Sequence, residues 1–334
     1  MRVGYQTAVD KQYKSIHLDN TNASPVLISV AQKKDNMEKY IVWHIEGGLG
    51  KNVAATALLP SLAKKYKDRK IIVVASYPEV FLNNPHIYRV YRVGLTAYFY
   101  DDYILGKDTL VFRHEPYFQT GHILKQKHLV ENWADLLGVE YTKQLPEIHM
   151  NMIQKNFQYS WKRDKPVFLI QTNGGMFNGQ PHGYAWTRDI PIELALYIVE
   201  KVVKDYHVIQ LTREGAPTIQ GVEVINQPLT NMELFSLVAS TDKRVLIDSC
   251  AQHAAAAFNL PSTVLWIGTA AENFGYEMHA NIKALPPKGD TKLIDAYLFD
   301  ASFEGIPHEC PYQNINEMFD LNKIDTAIQN MLKS

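Results

Sequence analysis

The chain has 334 residues, enough for two domains with separate cores, and its 46% apolar and 21% charged residues are those of an ordinary globular protein. No apolar run approaches the ~20 residues of a membrane span, residues 1–15 lack the apolar core of a secretory signal, and two cysteines make neither a disulfide framework nor a zinc motif; a reducing cytoplasm fits. The net charge of -1 conceals an asymmetry, 20 Lys plus Arg against 15 Asp plus Glu through Lys155 and 14 against 20 thereafter, so an anionic partner is expected on the first half.

Residues 1–36 are polar with weak periodicity and read as an extension, with a possible edge strand at 24–31. The first convincing strand is 40–43. It runs into His44-Ile45-Glu46-Gly47-Gly48-Leu49-Gly50-Lys51 and then a helix from residue 52 that closes with SLAKKYK. A glycine-rich turn between a strand and a helix lets a ligand approach the backbone and face the helix amides. It is not a Walker A loop, because Asn52 stands where Ser or Thr would follow the lysine. Strands are predicted at 70–76, 88–94 and 108–114, and an amphipathic helix at 128–139, with aromatic loops at 96–103 and 115–122 between them.

A linker with a helical part covers 145–166. A second alternation follows, with strands at 166–172, 207–212, 222–226, 244–249 and 262–268 and helices at 191–206, 231–240 and 251–259. A last amphipathic helix, LNKIDTAIQNMLK, ends the chain. Two successive βα series imply an α/β protein of two doubly wound, Rossmann-like domains facing a cleft. The expected division is 1–36 extension, 37–155 first domain, 156–311 second domain and 312–334 C-terminal helix.

GGLGKNVAATALLPSLAKKY, followed by KIIVVASYPEVFLNNPHIYRVY, resembles the N-terminal domain of heptosyltransferase-like glycosyltransferases of family 9, which have the GT-B fold. QTNGG, WTRDIPIELALYIVEKV, LTNMELFSLVA and IDSCAQHAAAAFNLPSTVLW follow that family's order in the second half. The resemblance covers roughly residues 40–285. It implies transfer of a sugar from a nucleotide-activated donor to an acceptor hydroxyl, inverting and without a metal or other cofactor. It also implies a donor in the second domain, an acceptor in the first, and a last helix that crosses back to the first domain, as is common in that fold.

The donor's diphosphate gains charge as the glycosidic bond breaks, and backbone amides with a cation can stabilise it. Ser249, Cys250, Ala251 and Gln252 are the candidate amides at a helix start, and Asn173, Gly174 and Gly175 a second amide nest. Arg188 falls near the family's donor-phosphate lysine and is the candidate cation. His253 either caps the site or packs in the core. Asp248 either caps the helix or touches the donor, and Glu233 either accepts from a ribose hydroxyl or serves its own helix.

The family carries a catalytic Asp after the last glycine of the first loop, and here that position is Lys51. A protonated lysine cannot accept the acceptor's proton. Glu46, in the same turn, and His114 and Glu115, at another strand end, are the candidate bases. Gly47, Gly48, Gly50 and Lys51 are the candidate acceptor contacts, with Lys51 on an acceptor phosphate. The expected acceptor is an anionic, lipopolysaccharide-like glycan. Two alternatives stand beside it: a phage DNA glycosyltransferase modifying hydroxymethylated bases such as hydroxymethylcytosine, and a non-catalytic sugar-nucleotide-binding protein that lost its base.

Overall fold

Near-continuous apolar runs such as Tyr40–Trp43 suit strands covered on both faces, and the chain assembles two sheets from them. A computed structural model describes residues 26–28 (backbone only), 37–174, 185–288 and 310–333; Gly175, expected in the donor nest, lies outside them. The first sheet contains β1 (Val26–Ile28), β2 (Lys39–Ile45), β3 (Lys70–Ala75), β4 (Arg89–Arg92) and β5 (Asp108–Phe112), in the order β1-β5-β2-β3-β4. All neighbours are parallel except β1, which lies antiparallel on β5 at the sheet edge. The second contains β6 (Val167–Gln171), β7 (His207–Leu211), β8 (Glu223–Ile225), β9 (Lys243–Ile247), β10 (Thr263–Trp266) and β11 (Ala280–Lys283), ordered β11-β10-β9-β6-β7-β8 and parallel throughout.

The helices that matter for the site are α1 (Leu49–Ala55), α2 (Leu129–Leu137), α3 (Ile192–Val199), α4 (Asn231–Ser240) and α5 (Cys250–Ala257). Local signals explain their ends. His128 Nδ1 accepts from the Val130 amide at the start of α2, and Gly138 closes it at φ 61, where glycine carries no Cβ penalty. Thr230 and Glu233 form a reciprocal capping box on α4. The run 191–206 is shorter as a helix than its pattern suggests: α3 stops at Val199, and turns bring the chain back to β7.

One continuous core joins the domains. It includes Trp43, Phe81 and Trp133 from the first and Leu169, Phe235 and Trp266 from the second. Trp43 and Trp133 meet edge to face at 5.2 Å. A second core lies on the outer face of the second sheet, where Ile324 and Ile328 of the C-terminal helix α6 (Leu321–Lys333) join Phe168, Ile170 and Leu194. The last helix therefore does not cross back to the first domain. Its apolar stripe fits the otherwise open outer face beside β10 and β11.

Candidate functional site

Strand order reverses between β2 and β5 in the first sheet and between β6 and β9 in the second. In open α/β sheets the crevice at such a reversal, off the carboxyl ends of the strands, is where ligands bind. The four loops leaving these strands meet in one cavity of about 640 Å³, lined by Gly48, Gly50, Lys51, Tyr77 and Tyr117 on one side. Asn173, Gly174, Arg188, Arg213, Asp248, Ser249, Cys250 and His253 line the other.

The first wall is built on the glycine turn. Gly47 sits at φ 105, which a side chain would strain, and its amide donates to Ser76 Oγ at 3.2 Å. Asn52 is fully buried, and its amide group donates to the carbonyls of Gly48 (2.9 Å) and Gly47 (3.3 Å). The residue in the Walker Ser/Thr slot thus fastens the turn. Lys51 points inward, its side chain only 3% exposed, and Nζ donates to Glu115 Oε2 at 2.6 Å. The same ammonium lies 4.8 Å from the ring centroid of Tyr117 and 5.4 Å from that of Trp133. Glu115 Oε1 accepts from the Tyr117 amide at 3.3 Å.

On the second wall, Ser249 caps α5: its Oγ accepts from the Ala251 amide at 3.1 Å and donates to Gln171 Oε1 at 2.7 Å. Arg188 Nε lies 3.4 Å from Asp248 Oδ2. Asp189 gathers three groups, accepting from Gly174 N at 2.9 Å, from Asn173 Nδ2 at 3.0 Å, and from Arg213. His253 Nδ1 is 2.8 Å from the Tyr276 hydroxyl, and burial pushes its imidazole down to about 3, so it is neutral at physiological pH. The walls touch where Gly50 passes His253; a Cβ on Gly50 would lie 2.8 Å from His253 Cδ2.

No protein-family model and no curated protein sequence matches the chain. Its structure is similar to that of a glycosyl transferase family 9 protein from Veillonella parvula, with TM-score 0.61 and 14% identity over 89% of this chain and 98% of that one. It is similar to E. coli ADP-heptose LPS heptosyltransferase II, with TM-score 0.55 and 13% identity over 87% of this chain and 99% of that one. A third is the dodecameric iron-containing heptosyltransferase TibC of enterotoxigenic E. coli, in complex with ADP-D-beta-D-heptose; there the TM-score is 0.60, with 13% identity over 89% of this chain and 77% of that one. The chain has the GT-B fold. Among its described residues no helix is long and apolar enough to cross a membrane, and no group of three or more His, Cys, Asp or Glu is placed to hold a metal ion.

Within this GT-B frame the expected residues divide. Lys51, Gly48, Gly50, Asn173, Gly174, Arg188, Asp248, Ser249, Cys250 and His253 come together around the cavity, and Glu115 stands directly behind Lys51. Glu46 does not join them. Its carboxylate pairs with Arg113 on the surface, at 2.9 Å from Nε and 2.8 Å from Nη2. His114 is half-buried, its pKa lowered by burial and its Nδ1 without a hydrogen-bond partner among the described residues; like Glu115 it does not line the cavity, but unlike Glu115 it has no bond to a residue that does.

Four further expectations are corrected. The Gly174 amide is engaged by Asp189, so Asn173 and Gly174 do not form an open amide nest. Gln252 turns away, its Nε2 donating to the Phe274 carbonyl at 3.1 Å, and the Ala251 amide is taken by Ser249. The N-cap is Ser249, leaving Asp248 to Arg188. Glu233 Oε2 accepts from both the amide (2.7 Å) and the hydroxyl (2.8 Å) of Thr230, and the residue does not line the cavity.

Sequence reading missed Asn52, Tyr117, Asp189 and Arg213. A basic residue two positions beyond β7, in Leu211-Thr212-Arg213, is a strand-end signal of the kind that found Glu115. The contacts of Asp189 depend on a fold-level meeting that no local pattern encodes.

Proposed function

We propose that the chain transfers a sugar from a nucleotide diphosphate donor to an acceptor hydroxyl by a single inverting displacement, without a metal. The observation that carries this reading is the meeting across one cavity of Lys51, whose ammonium is paired with Glu115 outside the cavity lining, and a cation at a helix start, Arg188, which lines the cavity with Ser249 and Cys250. TibC is described with ADP-D-beta-D-heptose, and the same fold here supports a donor of that chemical class.

In this mechanism the donor diphosphate draws Arg188 from its loose contact with Asp248 and meets the backbone at Cys250. As the bond from the anomeric carbon to the phosphate oxygen breaks, the departing charge is met by these groups. Glu115 accepts the proton of the attacking hydroxyl, and Lys51 holds the carboxylate in place. The family's carboxylate on the glycine loop is thereby replaced by one from β5's end, and Lys51 stands in the position it left. An acceptor phosphate on Lys51 loses its support, because the ammonium is already paired. Neutral hydroxyls and ring faces suit the first wall, which carries Tyr77, Tyr117, Leu49 and Leu129. The test is nucleoside diphosphate release from a panel of ADP-, GDP-, UDP- and dTDP-sugars in the presence of EDTA. Release from at least one donor is expected. Absence of binding to all of them, or a strict need for Mg²⁺ or Mn²⁺, overturns the reading.

A further inference from the structure

The outer end of the first sheet carries a surface that the proposed chemistry does not use. Ile45 pairs with Ala75, and Ala75 with Arg92, so the end of β4 shares the cleft edge with the glycine turn, two strand spacings or roughly 10 Å away. Contacts run continuously between them. Asn231, which lines the cavity, donates to Glu79; Glu79 lies 3.7 Å from Arg92; and Arg92 Nη1 donates to the Ser76 carbonyl at 3.4 Å.

Beyond Arg92 the chain exposes Leu95 (70%), Tyr98 (79%) and Tyr100 (68%) in quick succession. A packed aromatic cluster lies beside them. Phe99 meets Tyr91 at 5.4 Å and Tyr103 at 5.3 Å, Tyr103 meets Tyr40 at 5.2 Å, and the hydroxyls of Tyr91 and Tyr103 are 2.8 Å apart. Tyr100 joins this cluster through Phe99 at 6.1 Å. Tyr98 is held at φ 57, a conformation that bulky residues avoid and that surrounding structure must enforce. Exposed tyrosines offer a large contact area with only two side-chain torsions to fix.

The charges decide the partner. At this end of the sheet Arg92 lies 3.7 Å from Glu79 and Arg113 pairs with Glu46 at 2.8 Å, while Asp101 and Asp102 add exposed negative charge in the first turn after Tyr98. A nucleic acid needs a surplus of cations to neutralise phosphates, and none exists here. Sugar rings need flat apolar faces for their C–H bonds and mixed donors and acceptors for their hydroxyls, and this surface supplies both.

We infer that Leu95, Tyr98 and Tyr100 form a platform for a neutral oligosaccharide acceptor, holding sugar units that extend from the cleft along the strand ends. The inference rests on the glycosyltransferase reading and deepens it, making the acceptor a polymer gripped away from the reacting hydroxyl.

The experiment compares the full chain with its Tyr98→Ala/Tyr100→Ala variant on an array of neutral and acidic oligosaccharides, with labelled single- and double-stranded DNA alongside. Thermal melts check the fold, and nucleotide-induced melting shifts report the donor site independently. The wild-type chain should retain at least one neutral glycan. That retention should fall about tenfold or more in the variant, survive in Tyr98→Phe/Tyr100→Phe, and change little between about 50 mM and about 500 mM salt. Donor shifts should be the same in all three chains. No glycan retained by the wild type, or equal retention by the alanine variant, overturns the platform even if donors bind. DNA retention that the variant loses and salt abolishes overturns it in favour of a nucleic acid. Failure of every donor, with platform-dependent glycan retention intact, overturns the catalytic reading alone.

Discussion

Replacing Lys51 by Met tests the pair at the floor of the cleft without reference to activity. The methionine keeps the buried stem against Tyr117 and Trp133 and removes only the charge. At 2.6 Å, Coulomb attraction at an effective dielectric near 20 is about 6 kcal/mol before any cost is set against it. Burying Lys51 takes back much of that. Glu115 is 37% exposed, so solvent screens it further. A net coupling of about 1–2 kcal/mol remains, and the measured quantity is the interaction energy in a cycle of Lys51→Met, Glu115→Gln and the double variant. Urea denaturation followed by circular dichroism gives each value. The double variant should be more stable than the sum of the single losses predicts. Additive losses, with coupling within about 0.3 kcal/mol of zero, would refute the pair as a structural unit.

Gly50→Ala should destabilise the chain by about 1–3 kcal/mol, because the new methyl meets a buried His253 ring at 2.8 Å with the Cys250 backbone 3.4 Å away; a variant as stable as its parent in urea would show that the domains are less closely seated. Stability should fall as pH drops from about 6.5 toward about 4. Burial holds His122, His128 and His279 down at about 4 and His253 at about 3. In that window the unfolded chain binds protons that the folded chain refuses, and each such site adds up to about 1.4 kcal/mol per pH unit to the slope. A urea midpoint unchanged between pH 7.5 and pH 5 contradicts this. Arg188→Ala should weaken donor nucleotide binding by about 1.5–3 kcal/mol in calorimetry, and unchanged affinity would remove Arg188 from the donor site.

The fold was legible because its strands are buried on both faces. Runs such as Ile71–Ala75 and Val167–Ile170 show continuous apolar character, and the glycines, Asn173 and Ser249 mark where such strands end. β11 escaped because Ala280–Lys283 is short, half-exposed and without alternation. The amphipathic pattern of α6 showed a buried stripe but not which of two sheets it covers. Strand-end loops also carry the candidate site, since Lys51, Glu115, Arg188 and Ser249 converge there. What local sequence could not supply was the partner of each group. Glu46 lies in the best-placed turn, yet Arg113 from the adjacent strand end claims it. The Gly174 amide belongs to Asp189, fifteen residues on. Lys51 reads as a free cation until Glu115 arrives from the end of the neighbouring strand β5.

The proposed chemistry turns on which carboxylate takes the proton. Once a donor is found, single-turnover transfer should be measured for Glu115→Gln and Glu46→Gln with donor affinity followed in parallel. Glu115→Gln should lower turnover about 10²–10⁴-fold with donor affinity unchanged, while Glu46→Gln stays close to the parent. Full turnover in Glu115→Gln, or a loss confined to Glu46→Gln, would contradict the assignment.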